Sequence, residues 1–285
     1  MFMRQDKLHE TILSYHQIMP LPLEMKYETS LITALLGICL AGTSNAALIF
    51  SDNFTDTTPG GTYQQINENL ATRQSGTHAT QMWSGANNYQ VGNNYPGFGQ
   101  PTGDFLLIAD QAGNARLDGL TLSSTLVPAN QKLVIQFDAE THIEYGDPSN
   151  WLSFMISPTS GDGQWHPVVG SGDFGMLIRG NGQIQAFNNG SVFSGINNVS
   201  LASAGINTIT LTFSGLDGTG SPFAGNGTRV NISDGTNSWN ADLNTGLTVE
   251  TISFGTYGGG TRGFVDNLSI STVPEPGVAL ATCLG

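Results

Sequence analysis

The chain has 285 residues, of which 22 are Asp or Glu and 9 are Lys or Arg, and its net charge is −13 at pH 7. A chain this acidic is repelled by phosphate backbones and by anionic lipid, which argues against nucleic acid as a partner. Its 37 glycines and only 2 cysteines indicate a body of turns and strands that is held by its own core rather than by disulfides.

The N-terminal region reads as an export signal. Residues 1–24 show no apolar pattern and are interpreted as an upstream extension from a mis-assigned start codon. Lys26 then precedes an apolar run, Leu31–Ala41, and small residues follow up to Ala46. This order is typical of a secretory signal peptide, and the run is shorter than the roughly 20 residues that span a bilayer. Residues 25–46 are therefore predicted to form a signal helix that is cleaved after Ala46, so that the protein is exported.

Residues 47–270 are predicted to form one all-β domain. Short β-branched or aromatic runs such as KLVIQFDAE, WLSFMIS and NTITLTFSG are each bounded by Gly, Asn, Asp or Pro, which is typical of antiparallel strands. In the last of these runs Ile209, Leu211 and Phe213 alternate with threonines, so one face of the strand is apolar. The sequence has no repeat of fixed period, so it does not indicate a propeller or a solenoid. The pattern predicts an antiparallel two-sheet sandwich.

Three stretches of this domain carry a family resemblance: LIFSDNFTD at its start, NENLATRQSG after it, and GFVDNLSIS as its last strand. They resemble exported bacterial domains of the concanavalin A-like, laminin-G-like jelly-roll group. The resemblance implies a jelly-roll sandwich in which the first and last strands lie together. A galactose-binding-like jelly roll, which often also ends on a VDN or VDD strand, remains the alternative.

The segment 271–285 resembles a bacterial sorting signal. Pro274, Glu275 and Pro276 form the tripeptide of the PEP-CTERM signal, whose two prolines stop the preceding strand. In that family the tripeptide precedes a transmembrane helix and a basic cluster, and an exosortase-type membrane enzyme processes it. The resemblance implies an exosortase-type partner and membrane contact through this tail alone. Only Gly277–Gly285 follow here, without Arg or Lys, so the tail is interpreted as truncated or degenerate.

The sequence lacks several common catalytic motifs. It has no Gly-x-Ser-x-Gly, no His-Glu-x-x-His and no Gly-x-x-x-x-Gly-Lys. Three function classes stay open: an exported non-catalytic surface or matrix protein whose sandwich binds a polysaccharide, a glycoside hydrolase or lyase on the same fold, and a purely structural exported domain. The first is favoured, although the fold alone does not separate them.

The stretch QFDAETHIEYGDPSNW is the most suggestive for chemistry. As a strand it places Glu140, His142 and Glu144 on one face. The two glutamates resemble the outer positions of Glu-x-Asp-x-Glu in laminarinase-type glucanases, where the resemblance implies nucleophile and acid/base roles. His142 replaces the central Asp that orients the nucleophile, so no catalytic residue is predicted. Glu140, His142, Glu144 and Trp151 are instead predicted to contact a sugar, with Trp151 as a stacking platform. A plain solvated strand face is the alternative.

A structural calcium ion is also predicted. The jelly-roll resemblance implies a calcium where the first and last strands meet, which points to Asp266 of FVDNLSI and to the region of Asp52. Oxygen-rich loops in a domain without disulfides suit this ion. The alternative is that both residues are ordinary strand-end turn formers.

Overall fold

The protein consists of β-strands throughout the part that the structure describes. This computed structural model describes residues 46–54, 82–86, 89–93, 104–109, 114–141, 149–159, 174–203, 205–216, 220–223, 225, 227–257 and 262–275. These ranges contain no helix, and hence none that is long and apolar enough to cross a membrane. The strands are β1 (Ala47–Asp52), β2 (Met82–Ala86), β3 (Tyr89–Asn93), β4 (Asp104–Ala109), β5 (Asn114–Leu122), β6 (Gln131–Thr141), β7 (Trp151–Ser157), β8 (Phe174–Arg179), β9 (Gln183–Asn188), β10 (Ser191–Ser200), β11 (Asn207–Gly215), β12 (Thr228–Ser233), β13 (Ser238–Leu243), β14 (Val249–Tyr257) and β15 (Arg262–Pro274).

The strands form two antiparallel sheets. Sheet 1 has the order β13-β12-β11-β6-β15-β4-β3, and β1 also pairs with β15. Sheet 2 has the order β10-β9-β8-β7-β14-β5-β2. Strands that are consecutive in the chain often belong to different sheets, as β6 and β7 do, so the chain crosses from one layer to the other. The prediction of an all-β, antiparallel two-sheet jelly-roll sandwich is confirmed.

The first and last strands lie side by side, as the jelly-roll resemblance implies. β1 pairs antiparallel with β15, so both ends of the domain meet at one place in sheet 1. β15 continues past the predicted boundary at residue 270, because Pro274 still pairs with Gln131 of β6. A proline is tolerated at this position since it is the terminal residue of the strand.

The core lies between the two sheets and is rich in aromatic side chains. Phe137 of sheet 1 stacks on Phe154 of sheet 2 with ring centroids 5.2 Å apart, and Phe254 packs edge-on against Phe137 at 5.1 Å. The predicted alternation of Ile209, Leu211 and Phe213 is confirmed, because all three are buried in this core. Burial of side chains such as these, at about 1.5–3 kcal/mol each, is the main force that joins the sheets.

A polar contact also joins the sheets near the N-terminal end of the domain. Asp52 of β1 pairs with the buried Leu268, so its carboxylate points into the core. Its Oδ2 accepts a hydrogen bond from the indole N–H of Trp83 in sheet 2, at 2.9 Å. Its Oδ1 accepts one from the backbone N–H of Phe54, at 2.7 Å. The Trp83 ring packs on Phe50 and Phe54, so the carboxylate fixes an aromatic side chain that bridges the layers.

Candidate functional site

The structure describes most, but not all, of the residues predicted to matter for function. Ala46 is exposed immediately before β1, while the remainder of the predicted signal segment, His142, Glu144 and Pro276 lie outside the described residues. Pro274 and Glu275 are described and lie against the domain. The backbone N–H of Glu275 donates to the carbonyl of Asn130 at 3.2 Å, and its carboxylate accepts from the backbone N–H of Gly220. Glu140 and Trp151 are both described, on β6 and β7.

Glu140 and Trp151 do not share one face, which corrects the predicted sugar-binding surface. Glu140 pairs with Phe264 in sheet 1, and both side chains lie on the outer face of that sheet. Trp151 belongs to β7 of sheet 2, where Leu152 points into the core and Trp151 points outward. The correction has a topological cause: β6 and β7 are consecutive in the chain but belong to different sheets. The two side chains therefore lie on opposite sides of the sandwich.

On the outer face of sheet 1, three carboxylates surround a cavity of about 180 Å³. We call it the acidic cavity; it is lined by Asp138, Ala139, Glu140, Ile206, Phe264, Val265, Asp266 and Asn267. Ile206 and Asn267 are exposed, so the cavity opens at their side. The predicted sugar ligand Glu140 and the predicted calcium ligand Asp266 thus meet in one site.

A β-bulge brings Asp266 to this face. The register of β15 against β6 shifts between Asp266 and Ser269, and Asn267 within the bulge has a φ of 51°. Asparagine tolerates this left-handed conformation better than most residues. Asp266 consequently faces outward and pairs directly with Asp138, whereas Leu268 points into the core.

Hydrogen bonds hold the carboxylate of Asp138 in place. Its Oδ1 accepts from the hydroxyl of Thr208 at 2.6 Å, and its Oδ2 accepts from the side-chain amide of Asn267 at 2.8 Å. The same amide lies 3.4 Å from Oδ2 of Asp266. Like charges directly opposite each other on neighbouring strands are destabilising. The amide of Asn267 lies between the two carboxylates and reduces that repulsion.

Glu140 differs from the other two acids because it is almost completely buried. Its relative exposure is 8%, and its Oε2 is buried without a hydrogen-bond partner. Desolvation raises the pKa of the Glu140 carboxyl above its usual value. A buried, unpaired carboxylate is costly in a folded protein. The side chain is therefore unfavourable for stability, and it faces a cavity.

We expect the Glu140→Gln variant to be more stable than the wild type at neutral pH. The raised pKa means that the folded state binds the proton more tightly than the unfolded state does. Wild-type stability therefore falls as pH rises from the ordinary glutamate pKa through the raised one. Below both values the carboxyl is protonated in either state, and the advantage of glutamine disappears. Urea unfolding over a pH series measures the difference.

Asp242→Asn is a matched control, for which the expected change in stability at neutral pH has the opposite sign. The hydrogen bonds from Arg229, at 2.8 and 3.0 Å, lower the pKa of the Asp242 carboxyl. Stability from this group is present above the ordinary aspartate pKa and is lost as pH falls through the lowered one. The asparagine variant is thus expected to be slightly less stable at neutral pH. A Glu140→Gln variant that is likewise destabilised would show that Glu140 is ionised and paired in the folded protein.

On the outer face of sheet 2, aromatic rings form an edge that is open to solvent. Trp151 of β7 pairs with Tyr257 of β14, and their rings stack with centroids 4.8 Å apart and an interplanar angle of 20°. Tyr257 is 39% exposed and Trp151 is partly exposed. We call this pair the aromatic edge. The next pair on the same face is Gly255 and Ser153, so the rings stand beside small side chains.

A row of polar side chains continues from the aromatic edge across three strands. Arg179 pairs with Trp151 on one side, and its Nη2 donates to Oε1 of Gln185 at 2.7 Å. Nε2 of Gln185 in turn donates to Oδ1 of Asn197 at 2.7 Å. We call Arg179, Gln185 and Asn197 the polar ladder. Partial burial lowers the pKa of the Arg179 guanidinium, which remains a hydrogen-bond donor.

The predicted calcium ligands lie in different surroundings. Asp52 points into the core and accepts hydrogen bonds from Trp83 and Phe54, whereas Asp266 faces the acidic cavity on the outside of sheet 1. Among the described residues there is no group of three or more His, Cys, Asp or Glu that could hold a metal ion. The calcium ion stays a prediction, and the geometry gives Asp52 a structural role of its own.

The chain has similarities of low sequence identity to several solved structures. No protein-family model and no curated protein sequence matches the chain. Among solved structures, the chain is similar to an endo-1,3-β-glucanase from Streptomyces sioyaensis, with 12% identity, a TM-score of 0.43, and coverage of 81% of this chain and 98% of that one. It is similar to a carbohydrate esterase from the Shiga toxin-encoding bacteriophage phi24B, with 10% identity, a TM-score of 0.49, and coverage of 80% and 99%. It is also similar to lectin II from Ulex europaeus, with 10% identity, a TM-score of 0.41, and coverage of 69% and 94%.

These similarities concern the fold, on which proteins of different function are built. Function must therefore be argued from the two sites themselves. Sequence reasoning named Glu140, Trp151 and Asp266 but missed the residues that complete each site. Tyr257, Arg179 and Gln185 come from strands that are distant in the chain. The signal in the sequence was the alternation in GQIQAFNNG, where Gln183 and Gln185 alternate with apolar residues and so share one face.

Proposed function

We propose that this protein is an exported, non-catalytic cell-surface or extracellular-matrix protein that binds a polysaccharide through the outer face of sheet 2. The observation that carries the proposal is the aromatic edge of Trp151 and Tyr257 beside the polar ladder of Arg179, Gln185 and Asn197. The two components supply the two kinds of contact that a sugar offers, one apolar and one polar.

Each component matches a feature of carbohydrates. Aromatic rings present a large apolar surface, on which the C–H groups of a sugar ring can pack. Amide side chains carry both donors and acceptors, and a guanidinium adds several donors, so the polar ladder suits a ligand rich in hydroxyl groups. Next to the rings, the Ser153 hydroxyl is buried without a hydrogen-bond partner.

The placement of the carboxylates supports non-catalytic binding at the aromatic edge. Glycoside hydrolysis ordinarily requires a pair of carboxyl groups that flank the bound sugar. Of the described residues, Asp138, Glu140 and Asp266 lie on the outer face of sheet 1, away from the aromatic edge. A sugar held at Trp151 would therefore not contact these three acids.

Export and surface retention are part of the same proposal. They are supported by the signal-peptide pattern that ends at Ala46 and by the Pro274-Glu275-Pro276 resemblance to a sorting signal. An exosortase-type enzyme would be the partner for the tail. A polysaccharide ligand suits a protein that operates outside the cell, where such polymers are found.

We expect Trp151→Ala to weaken glycan binding by roughly tenfold or more, because a buried aromatic contact often dominates an interface. A glycan array with the purified protein identifies the best neutral ligand, and titration calorimetry then gives the affinities. Trp151→Phe retains a ring and should keep most of the affinity. Leu48→Ala is the control, since Leu48 is 51% exposed but lies on β1 of sheet 1.

The outcomes separate binding from folding. Thermal melts of Trp151→Ala and Tyr257→Ala should remain cooperative, because both side chains lie at the sheet surface. If no glycan on the array binds saturably, or if both variants bind with wild-type affinity, the proposed polysaccharide site is wrong.

A further inference from the structure

The acidic cavity on sheet 1 is not used by the proposed polysaccharide site. Of the described residues that line it, three are carboxylates and none is a Lys, Arg or His. Asp138 and Asp266 face each other directly across β6 and β15. Glu140 lines the same cavity with an Oε2 that is buried and has no hydrogen-bond partner. The concentration of negative charge and the unpaired buried oxygen both indicate a cationic ligand.

We propose that the acidic cavity binds the protonated amine of an amino sugar within a polysaccharide. The inference goes beyond the proposed function, because it assigns a second site on the opposite side of the sandwich and names the ligand class of that site. An ammonium group near Glu140 would donate the hydrogen bond that Oε2 lacks. It would also reduce the repulsion between Asp138 and Asp266.

The geometry favours an organic ammonium group over a metal ion. Calcium requires 6–8 oxygen ligands at about 2.3–2.6 Å. No group of three acids within the described residues converges closely enough to hold a metal ion. The cavity of about 180 Å³ offers room for a larger cation. Phe264 and Ile206 also line it, and these apolar side chains suit a carbon skeleton rather than a bare ion.

The number of acceptors favours an amino sugar over a lysine side chain. An ammonium group donates three hydrogen bonds, and each carboxylate has about four lone-pair sites. Three carboxylates therefore accept more hydrogen bonds than one ammonium group can donate, even after Thr208 and Asn267 have donated to Asp138. In an amino sugar, hydroxyl groups flank the amine and provide further donors. The end of a lysine side chain has no such neighbours.

The negative net charge of the whole chain also favours a cationic ligand. With 22 acidic and 9 basic residues, the protein attracts a cationic polymer and repels an anionic one. Long-range attraction of this kind raises the rate of encounter, and the local contacts at Glu140 provide specificity.

Titration calorimetry with two matched probes tests the inference. One probe is a β-1,4-linked glucosamine oligomer, and the other is its fully N-acetylated counterpart of equal length, which carries no charge. At a pH where the sugar amines are protonated, we expect at least tenfold tighter binding of the glucosamine oligomer. Glu140→Gln should lower this affinity roughly tenfold or more while it leaves the fold intact. Asp242→Asn removes one negative charge from the same outer face, outside the cavity, and should change the affinity less than twofold.

The variants of the aromatic edge separate this inference from the proposed polysaccharide site. Trp151→Ala should still bind the glucosamine oligomer through the acidic cavity, even when it has lost its neutral glycan. Equal affinity for both oligomers, or wild-type affinity of Glu140→Gln, would overturn the inference. Equally tight, Glu140-dependent binding of a lysine oligomer would overturn the assignment to a sugar. Glu140-dependent binding of calcium chloride alone would overturn it in favour of a metal site.

Discussion

Replacing Phe254 by alanine is expected to lower the free energy of unfolding by about 3–5 kcal/mol, which is the usual cost of deleting a core phenylalanine. The side chain has no exposed surface, and its ring packs against Phe137 at 5.1 Å and against Phe154 at 5.5 Å. The substitution therefore removes contacts within sheet 2 and contacts between the sheets. Urea unfolding, monitored by circular dichroism, measures the change.

Phe254→Leu is the matched variant. Leucine keeps most of the volume, so a change below about 1.5 kcal/mol is expected. Phe254→Leu can also be measured if Phe254→Ala does not fold. That outcome is possible because a loss of about 4 kcal/mol is a large part of the 5–15 kcal/mol that stabilises a typical domain. If alanine costs no more than leucine does, the aromatic cluster is not the structural centre of the sandwich.

The sequence was sufficient to predict this core and the class of fold. Strict alternation in NTITLTFSG assigns Ile209, Leu211 and Phe213 to one face, and all three are buried between the sheets. In strands that are buried on both faces, it is harder to predict from sequence which residues face the core. In β7, Met155 is as buried as its core-facing neighbour Phe154, although it points to the outer face of sheet 2. Burial on both sides removes the apolar-polar contrast on which the face assignment depends.

The sites could be predicted only in part, because their residues are brought together by topology. Alternation shows which residues of a strand share a face, but it does not show to which sheet the strand belongs. Glu140 and Trp151 are close in the chain, yet the crossover from β6 to β7 places them on different sheets. The bulge at Asn267 is a second case. One extra residue reverses the alternation within β15 and turns Asp266 toward Asp138.

The bulge also explains why Asp52 and Asp266 do not form one site. Asp52 pairs with Leu268, on the core-facing side of β15, whereas Asp266 lies beyond the bulge and faces outward. An aspartate in a core is unusual, and its burial must be offset by hydrogen bonds. Trp83 and Phe54 supply these bonds. The functional interpretation of Asp52 as a metal ligand and its structural role therefore make different predictions.

Asp52→Ala is expected to lower the free energy of unfolding by about 2–4 kcal/mol, because it leaves two buried N–H groups without an acceptor at about 1–3 kcal/mol each. Asp52 is only 3% exposed, so water does not readily replace the carboxylate. Asp52→Asn keeps one acceptor oxygen and should cost about half as much. Urea unfolding of the three proteins, with and without a calcium chelator, separates the two roles. If the carboxylate acts through Trp83 and Phe54, the cost of each substitution is the same in both conditions. A chelator that destabilises the wild type and leaves Asp52→Ala unchanged would instead establish Asp52 as a calcium ligand.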